Sequence, residues 1–286
     1  MTIEAIIPLD PTAVGTDDAG VGAGRFRTTL RDWGAMTRRN VLHTWRTPRL
    51  IIFSTATPLL FVVLFRFMFA GAIRIPGVRY VDFLIPGVMA ETIGFCATGS
   101  GLGLAEDISG GFIERLRTLP MARSAVLAGR VASDVVRFAM VAALTVLIGL
   151  AVGFRPEGGI LALAGSVTIM CVFGFSVSWV FASLGLALRD VETTTAATFP
   201  TMAILVFMSS AFVPASTLPS PVRGIAAHQP LSAAVNATRR LILSDDAAAH
   251  LGLTHSTGWY IGLVGLWMVI LVGVFGPIAV ALSRRN

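Results

Sequence analysis

The stretch that decides the fold is GILALAGSVTIMCVFGFSVSWVFASLGLAL, residues 159–188, which contains no charged residue. A helix needs about 20 apolar residues to cross the hydrocarbon of a bilayer, and this stretch exceeds that length. Two further stretches, 193–222 and 256–283, also contain no Asp, Glu, Lys or Arg. Three such stretches in one chain predict a protein that lies in lipid.

The composition supports the same conclusion. Of the 286 residues, 55% are hydrophobic and 13% are charged, whereas charged residues make up about a quarter of an ordinary soluble domain. We therefore predict an all-α integral membrane protein with six transmembrane helices. The predicted spans are about 50–71, 82–105, 131–153, 159–188, 195–213 and 259–282. The glycines of the Gly99-x-x-x-Gly103 pattern in the second span are expected to let a neighbouring helix approach closely.

All 22 basic residues are arginine, and the net charge is +6. A Walker A motif requires a lysine, so this chain cannot be a conventional ATPase by itself. Schiff-base chemistry also requires a lysine, and it is therefore excluded as well. We expect the positive charge to set the membrane topology and to contact lipid headgroups, with no role in binding nucleic acid.

The N-terminal region contains two predicted segments. Residues 1–24 contain no arginine and no apolar signal region, and we interpret them as a disordered cytoplasmic tail. Residues 25–49 contain seven arginines. Apolar residues including Trp33 and Trp45 fall on one side of a helix and arginines on the other, which predicts an amphipathic helix in the membrane interface. Docking of this helix on another protein is the alternative.

The distribution of arginine predicts the orientation. With the N-terminus inside, the cytoplasmic segments contain fourteen arginines and the opposite side contains six. This asymmetry favours a multi-pass protein with both termini in the cytoplasm.

Motifs for catalysis are absent from the sequence. It contains neither His-Glu-x-x-His nor Gly-x-Ser-x-Gly, and its four histidines are scattered. We therefore predict no catalytic residue, no metal site and no enzymatic activity. Cys96 and Cys171 both lie in apolar stretches, where we expect them to be small buried side chains.

The polar segment between the second and third spans contains a predicted short helix. Phe112, Ile113, Leu116 and Leu119 gather on one face, and Pro120 ends the helix. The remaining surface of this helix is formed by Glu114, Arg115 and Arg117. A short amphipathic helix in a cytoplasmic loop suits docking in a groove of a soluble partner.

Several motifs together resemble one family. They are the Glu106–Arg130 loop with Glu114-Arg115 and Leu119-Pro120, the basic entry helix, Phe83-Leu84-Ile85-Pro86-Gly87, Leu218-Pro219 and Gln229-Pro230-Leu231. In order and spacing they resemble ABC-2 type transporter permeases of the daunorubicin/doxorubicin-resistance type, over nearly the whole chain.

The resemblance implies a role for each part. Residues Phe112–Pro120 correspond to a coupling helix seated in a separate soluble ABC ATPase subunit, which holds ATP and Mg while this chain binds no cofactor. The permease forms a homodimer or a heterodimer with a second permease in the inner membrane of a bacterium. The 214–257 connection contains re-entrant helices; from the residues themselves, Val222–Ala227 and Leu231–Leu243 can form short helices.

Two charged residues fall inside predicted spans. Glu91 lies in the second span, where an ionised carboxylate costs about 2–3 kcal/mol on insertion scales, and Arg66 in the first span is its possible partner. We expect Glu91 to join helices or to line a substrate path. Asp134 and Arg137, near the start of the third span, are spaced for an i,i+3 pair.

These observations favour a permease subunit that exports an amphiphilic drug-like or lipid molecule. One alternative is export of a polysaccharide or lipid-linked glycan, which an aromatic channel lining would favour; tyrosine occurs only twice. Another is an ion-coupled carrier, for which several paired intramembrane acids are expected and only Glu91 is found. An intramembrane enzyme is disfavoured by the missing nucleophile and base.

Overall fold

The computed structural model describes residues 48–69, 76–110, 123–214 and 219–285, and these are mostly helical, as predicted. The helices are α1 (Pro48–Phe69), α2 (Tyr80–Ser109), α3 (Arg123–Ala151), α4 (Gly159–Leu188), α5 (Val191–Phe207), α6 (Ser220–His228), α7 (Pro230–Ile242), α8 (Asp245–His250) and α9 (Thr257–Arg285).

Three predicted segments fall outside the described residues. They are the tail at 1–24, residues 25–47 of the interfacial helix, and the coupling helix at Phe112–Pro120. Pro48 and Arg49, predicted as the end of the interfacial helix, are the first two residues of α1.

Four helices in the described part are long and apolar enough to cross a membrane: α2, α3, α4 and α9. They coincide with four of the six predicted spans. The remaining two predicted spans correspond to shorter apolar helices, Pro58–Met68 within α1 and Val191–Phe207, which is α5. Helix α5 has 17 residues and is therefore about 25 Å long. This length is less than the roughly 30 Å of a typical hydrocarbon core.

Helix α2 lies at the centre of the bundle. It packs against α1, α3, α4, α5 and α7, and every residue from Tyr80 to Gly94 is buried. In the most apolar 18-residue stretch of α2, 83% of the residues are buried, whereas the value for the same length of α9 is 17%. Of the four membrane-length helices, α2 is the least apolar and α9 the most apolar. This order suits a lipid surrounding, because a polar side chain such as Glu91 is kept inside the bundle, whereas the exposed Leu266, Val269 and Val274 of α9 suit contact with lipid.

A close helix contact joins α2 to α4. A Cβ atom added at Gly101 would meet the Phe181 carbonyl, and one added at Gly185 would meet the backbone of Gly101. Close approach was therefore predicted correctly for α2, and the glycine that makes this contact is Gly101, which lies between the two named in the prediction. Gly99 lies beside the Arg137 guanidinium instead, because a glycine on another face of the helix meets a different neighbour.

Helix α7 packs inside the bundle, against α2, α4 and α9. All residues from Leu231 to Arg239 are buried. Pro230 is the first residue of α7, where its missing N–H costs no hydrogen bond. The preceding Gln229 donates from Nε2 to the Leu205 carbonyl near the end of α5, at 3.0 Å. The short helices predicted within 214–257 are confirmed as α6 and α7.

The polar turn between α4 and α5 is shorter than predicted. Arg189 ends α4 in the left-handed conformation, with φ of 61°. Asp190 then caps α5, because its carboxylate accepts from the Thr193 backbone N–H at 2.7 Å. Helix α5 consequently begins at Val191 and not at the predicted Thr195.

Candidate functional site: charged groups buried in the helix bundle

Glu91 lies at the start of the fourth turn of α2 and is 3% exposed. Its Oε2 atom has no hydrogen-bond partner among the described residues. Gly87 and Gly94, one turn away on the same helix face, contact Ala211 beyond α5 and Met202 on α5. The side of α2 that carries Glu91 therefore packs against α5 and the residues that follow it.

The predicted Glu91–Arg66 pair is not formed in the structure. Arg66 Nη1 donates to the Val152 carbonyl at 2.7 Å. The adjacent Gly153 carbonyl accepts from Arg79, which also pairs with Asp82 at 2.7 Å. Arg66 is therefore level with the start of α2, whereas Glu91 follows Asp82 by nine residues, about 13 Å along the helix axis.

The predicted i,i+3 pair of Asp134 and Arg137 is confirmed, with 3.0 Å between Oδ1 and Nη2. It also binds α2: the Ser100 hydroxyl donates to Asp134 Oδ2, and Arg137 Nη2 donates to the Cys96 carbonyl at 2.7 Å. We call Ser100, Asp134, Arg137 and the Cys96 carbonyl the α2–α3 clamp. Asp134 is 8% exposed and the Arg137 side chain is 30% exposed, so the clamp combines a buried carboxylate with a half-buried guanidinium.

Arg239 is one of the six arginines counted opposite the cytoplasm, and sequence reasoning assigned it no role in a site. Arg239 is 2% exposed on α7. Its guanidinium donates to the carbonyls of Phe83, Ser210 and Ala211 at 2.8–3.2 Å and to Asn236 Oδ1 at 3.4 Å. These bonds occupy the five N–H groups of an arginine side chain.

A periodic signal for this burial was present in the sequence. Arg239 follows Leu231 by eight residues and Val235 by four, so all three lie on one face of α7. When the aliphatic residues on one face of a helix are buried, an arginine on the same face is buried with them. The neighbouring Arg240 instead pairs with the exposed Asp245 at 3.0 Å.

A cavity of about 160 Å³ lies beside Arg239, between α7 and the start of α9. Its wall includes Asn236, His228, His255 and Trp259. His255 stacks on Trp259 with 4.2 Å between ring centroids. Ligand pockets for drug-sized molecules measure about 300–1,000 Å³, so this cavity has room for a single ring and not for a whole drug-like molecule.

No group of three His, Cys, Asp or Glu side chains in the described ranges is arranged to hold a metal ion. The eight residues of the predicted ATPase-coupling helix, Phe112, Ile113, Glu114, Arg115, Leu116, Arg117, Leu119 and Pro120, lie outside those ranges. They belong to the segment that connects the end of α2 at Ser109 to the start of α3 at Arg123.

Comparison with known proteins gives consistent matches. The profile of the ABC-2 type transporter family matches residues 31–243, which include Glu91, the α2–α3 clamp and Arg239. Over 278 residues the chain is 33% identical to the daunorubicin resistance ABC transporter permease protein DrrB1 of Streptomyces coeruleorubidus, covering 92% of this chain and 94% of that protein. It is 22% identical over 239 residues to the probable doxorubicin resistance ABC transporter permease protein DrrC of Mycobacterium tuberculosis H37Rv, covering 82% of each.

Proposed function

We propose a transport function from one established premise: the chain belongs to the ABC-2 type transporter family, in which it is a permease subunit. The predicted resemblance is thereby confirmed. We infer that the chain exports an amphiphilic, drug-like or lipid molecule from a bacterial cell across the inner membrane. The observation that carries this inference is the 33% identity, over almost the full length of both chains, to a permease named for daunorubicin resistance.

The family's permeases are not catalytic subunits, and a separate subunit hydrolyses ATP. The absence of lysine from this chain fits that division, because a P-loop requires one. In our proposal a soluble ABC ATPase binds ATP and Mg, and this chain binds neither. Closure of the ATPase changes the equilibrium between arrangements of the spans, which is a coupling between distant sites.

The proposed docking element is the helix at Phe112–Pro120. It belongs to the connection between α2 and α3, two of the helices long enough to cross the membrane. Movement of that connection would act directly on both helices. Its apolar face, formed by Phe112, Leu116 and Leu119, suits a groove on the ATPase surface.

We further propose that α1 and α5 complete six spans, that both termini are cytoplasmic, and that α6 and α7 are re-entrant. Exposed apolar side chains on α1 and α5, including Leu60, Phe67, Phe199 and Phe207, support their contact with lipid or with a second permease subunit. The deep burial of α7 supports re-entry, because irregular backbone at membrane depth must be covered by protein or water.

Two experiments test this proposal. In the first, the chain and its ATPase are reconstituted in proteoliposomes, and ATP-dependent movement of daunorubicin is followed by its fluorescence. Transport with ATP and none with a nonhydrolysable analogue is expected. Robust ATP hydrolysis by the purified permease alone would contradict the division between subunits.

The second experiment concerns docking. The triple replacement Phe112→Asp, Leu116→Asp and Leu119→Asp is expected to release the ATPase during copurification while the permease still elutes as a folded protein. A matched control replaces the charged surface of the same helix, Arg115→Ala with Arg117→Ala, which leaves the apolar face intact. Unchanged copurification of the triple variant would place the docking surface elsewhere.

A further inference from the structure

The α2–α3 clamp lies at corresponding heights on its two helices. Ser100 precedes the last residue of α2, Ser109, by nine positions, and Asp134 follows the first residue of α3, Arg123, by eleven. At 1.5 Å per residue these separations are about 14 Å and about 17 Å. The clamp therefore joins the two helices at a distance of a few helical turns from the ends that are connected by residues 111–122.

The bonds of the clamp are directional, whereas the α2–α4 contact at Gly101 and Gly185 depends on close packing. Asp134 accepts from Ser100 on α2 and pairs with Arg137 on its own helix. Arg137 in turn donates to the Cys96 carbonyl on α2. Each charged side chain is thus bonded both within α3 and across to α2, which fixes the rotation of one helix relative to the other.

The sequence of α2 leaves room for this arrangement. A Cβ atom at Gly99 would lie 3.0 Å from Arg137 Nη2 and 3.2 Å from Nη1, which is too close for an unstrained contact. Removing one member of a buried ion pair leaves the other charge without compensation. Loss of either partner is therefore expected to loosen the contact between α2 and α3 at this height.

We propose that Ser100, Asp134 and Arg137 are positioning residues that make α2 and α3 one rigid unit, so that displacement of the 111–122 segment is transmitted to both helices together. This inference rests on the proposed export function for its consequence, since the displacement comes from the ATPase. The rigid connection itself is a property of this chain, and it is measurable without any cargo.

The first test measures rigidity. Spin labels replace Glu106 and Val136, two exposed residues on α2 and α3, after both native cysteines are changed to alanine. The full complex with its ATPase is placed in nanodiscs. The labelled permease is diluted with unlabelled permease so that distances within one subunit dominate. The parent chain is then expected to give one narrow distance distribution that is retained after ADP–vanadate trapping, and Asp134→Asn with Arg137→Gln is expected to broaden it.

The matched control is Asp82→Asn, which breaks another i,i+3 Arg–Asp pair at the opposite end of α2. It is expected to leave the distribution narrow. A double clamp variant with a distribution as narrow as that of the parent chain would overturn the proposal.

The second test measures coupling in proteoliposomes. Asp134→Asn is expected to lower the daunorubicin moved per ATP hydrolysed by about tenfold, within the usual range of coupling between sites, while the ATPase continues to turn over. Asp82→Asn is expected to leave the ratio close to that of the parent chain. An unchanged ratio for Asp134→Asn would overturn the proposal, as would a loss confined to protein yield and unfolding temperature. If the parent complex moves no amphiphile but the label distances behave as expected, the export proposal fails and the rigid connection stands.

Discussion

Arg239 binds Phe83 in two ways: its Nε and Nη2 atoms donate to the Phe83 carbonyl at 3.2 and 2.9 Å, and its guanidinium carbon lies 3.7 Å from the centroid of the Phe83 ring. The same guanidinium holds the Ser210 and Ala211 carbonyls beyond α5. One side chain therefore joins α7, the start of α2 and the segment after α5. Only a planar side chain with several donors can satisfy acceptors in these directions.

Replacing Arg239 with lysine is expected to lower the free energy of unfolding by about 3 kcal/mol, because a buried ammonium has three donors for four acceptors and leaves carbonyls unpaired. Thermal unfolding in detergent measures the effect. Arg155→Lys, at an exposed position, is the control and should unfold like the parent protein. Equal stability of the two variants would show that the Arg239 bonds contribute little.

The contrast between Arg239 and the membrane-length helices shows which parts of the fold were predictable. Long uncharged stretches locate α4 and α9, because the free energy of moving a helix from water into lipid depends mainly on its composition. Composition can be read directly from the sequence. The burial of α7 depends on which helices surround it, and neither length nor hydropathy distinguishes it from a surface helix. Counting Arg239 as an outside residue by the arginine rule concealed its position on the apolar face of α7.

The charged candidates show a similar division. The Asp134–Arg137 pair was predictable because i,i+3 neighbours meet on any helix. Its bonds to Ser100 and to the Cys96 carbonyl were not, because they depend on the rotation of α2 relative to α3. For the same reason, sequence alone offered Arg66 as a partner for Glu91, whereas the heights of the two residues in the bundle separate them.

Gly185 tests the close contact between α2 and α4. The atoms nearest to a Cβ at Gly185 all belong to the Gly101 backbone, so they cannot move aside as a flexible side chain would. We expect Gly185→Ala to lower the free energy of unfolding by about 2 kcal/mol through overpacking. In Gly265→Ala on α9, no atom lies within 4 Å of the added carbon, and this control should be neutral or slightly stabilised. Unfolding by denaturant compares the two variants, and equal losses would contradict the close contact.

Asp190 gives α5 a pH-dependent start. Hydrogen bonds from the Thr193 backbone N–H and hydroxyl hold the pKa of the Asp190 carboxyl below its usual value. Because the folded pKa is the lower one, the stabilising contribution is complete at neutral pH. It declines as the pH falls from the ordinary aspartate pKa through the folded one.

Hydrogen exchange at the Thr193 amide, corrected for the intrinsic rate, measures this effect. The parent protein should keep its protection from pH 7 to pH 5 and lose it in more acid solution. Asp190→Ala should be weakly protected throughout, whereas Asp190→Asn should retain partial protection without the acid transition. Protection of Thr193 in Asp190→Ala equal to that of the parent protein would show that the cap is unimportant.

Glu91 offers the sharpest test of where cargo passes. Its buried Oε2 atom lacks a partner among the described residues, and an unpaired carboxylate at this depth is expensive to maintain. Glu91→Gln retains the shape and removes the charge, so the variant should insert and fold at least as well as the parent protein. If the carboxylate lines the substrate path, ATP-dependent daunorubicin transport should fall by about tenfold or more, the scale of one lost charged contact.

Glu91→Asp, which keeps the carboxyl group but shortens the side chain, is the matched control and should retain part of the transport. Full transport by Glu91→Gln would restrict Glu91 to joining helices, because the amide would then serve the cargo as well as the carboxyl group does.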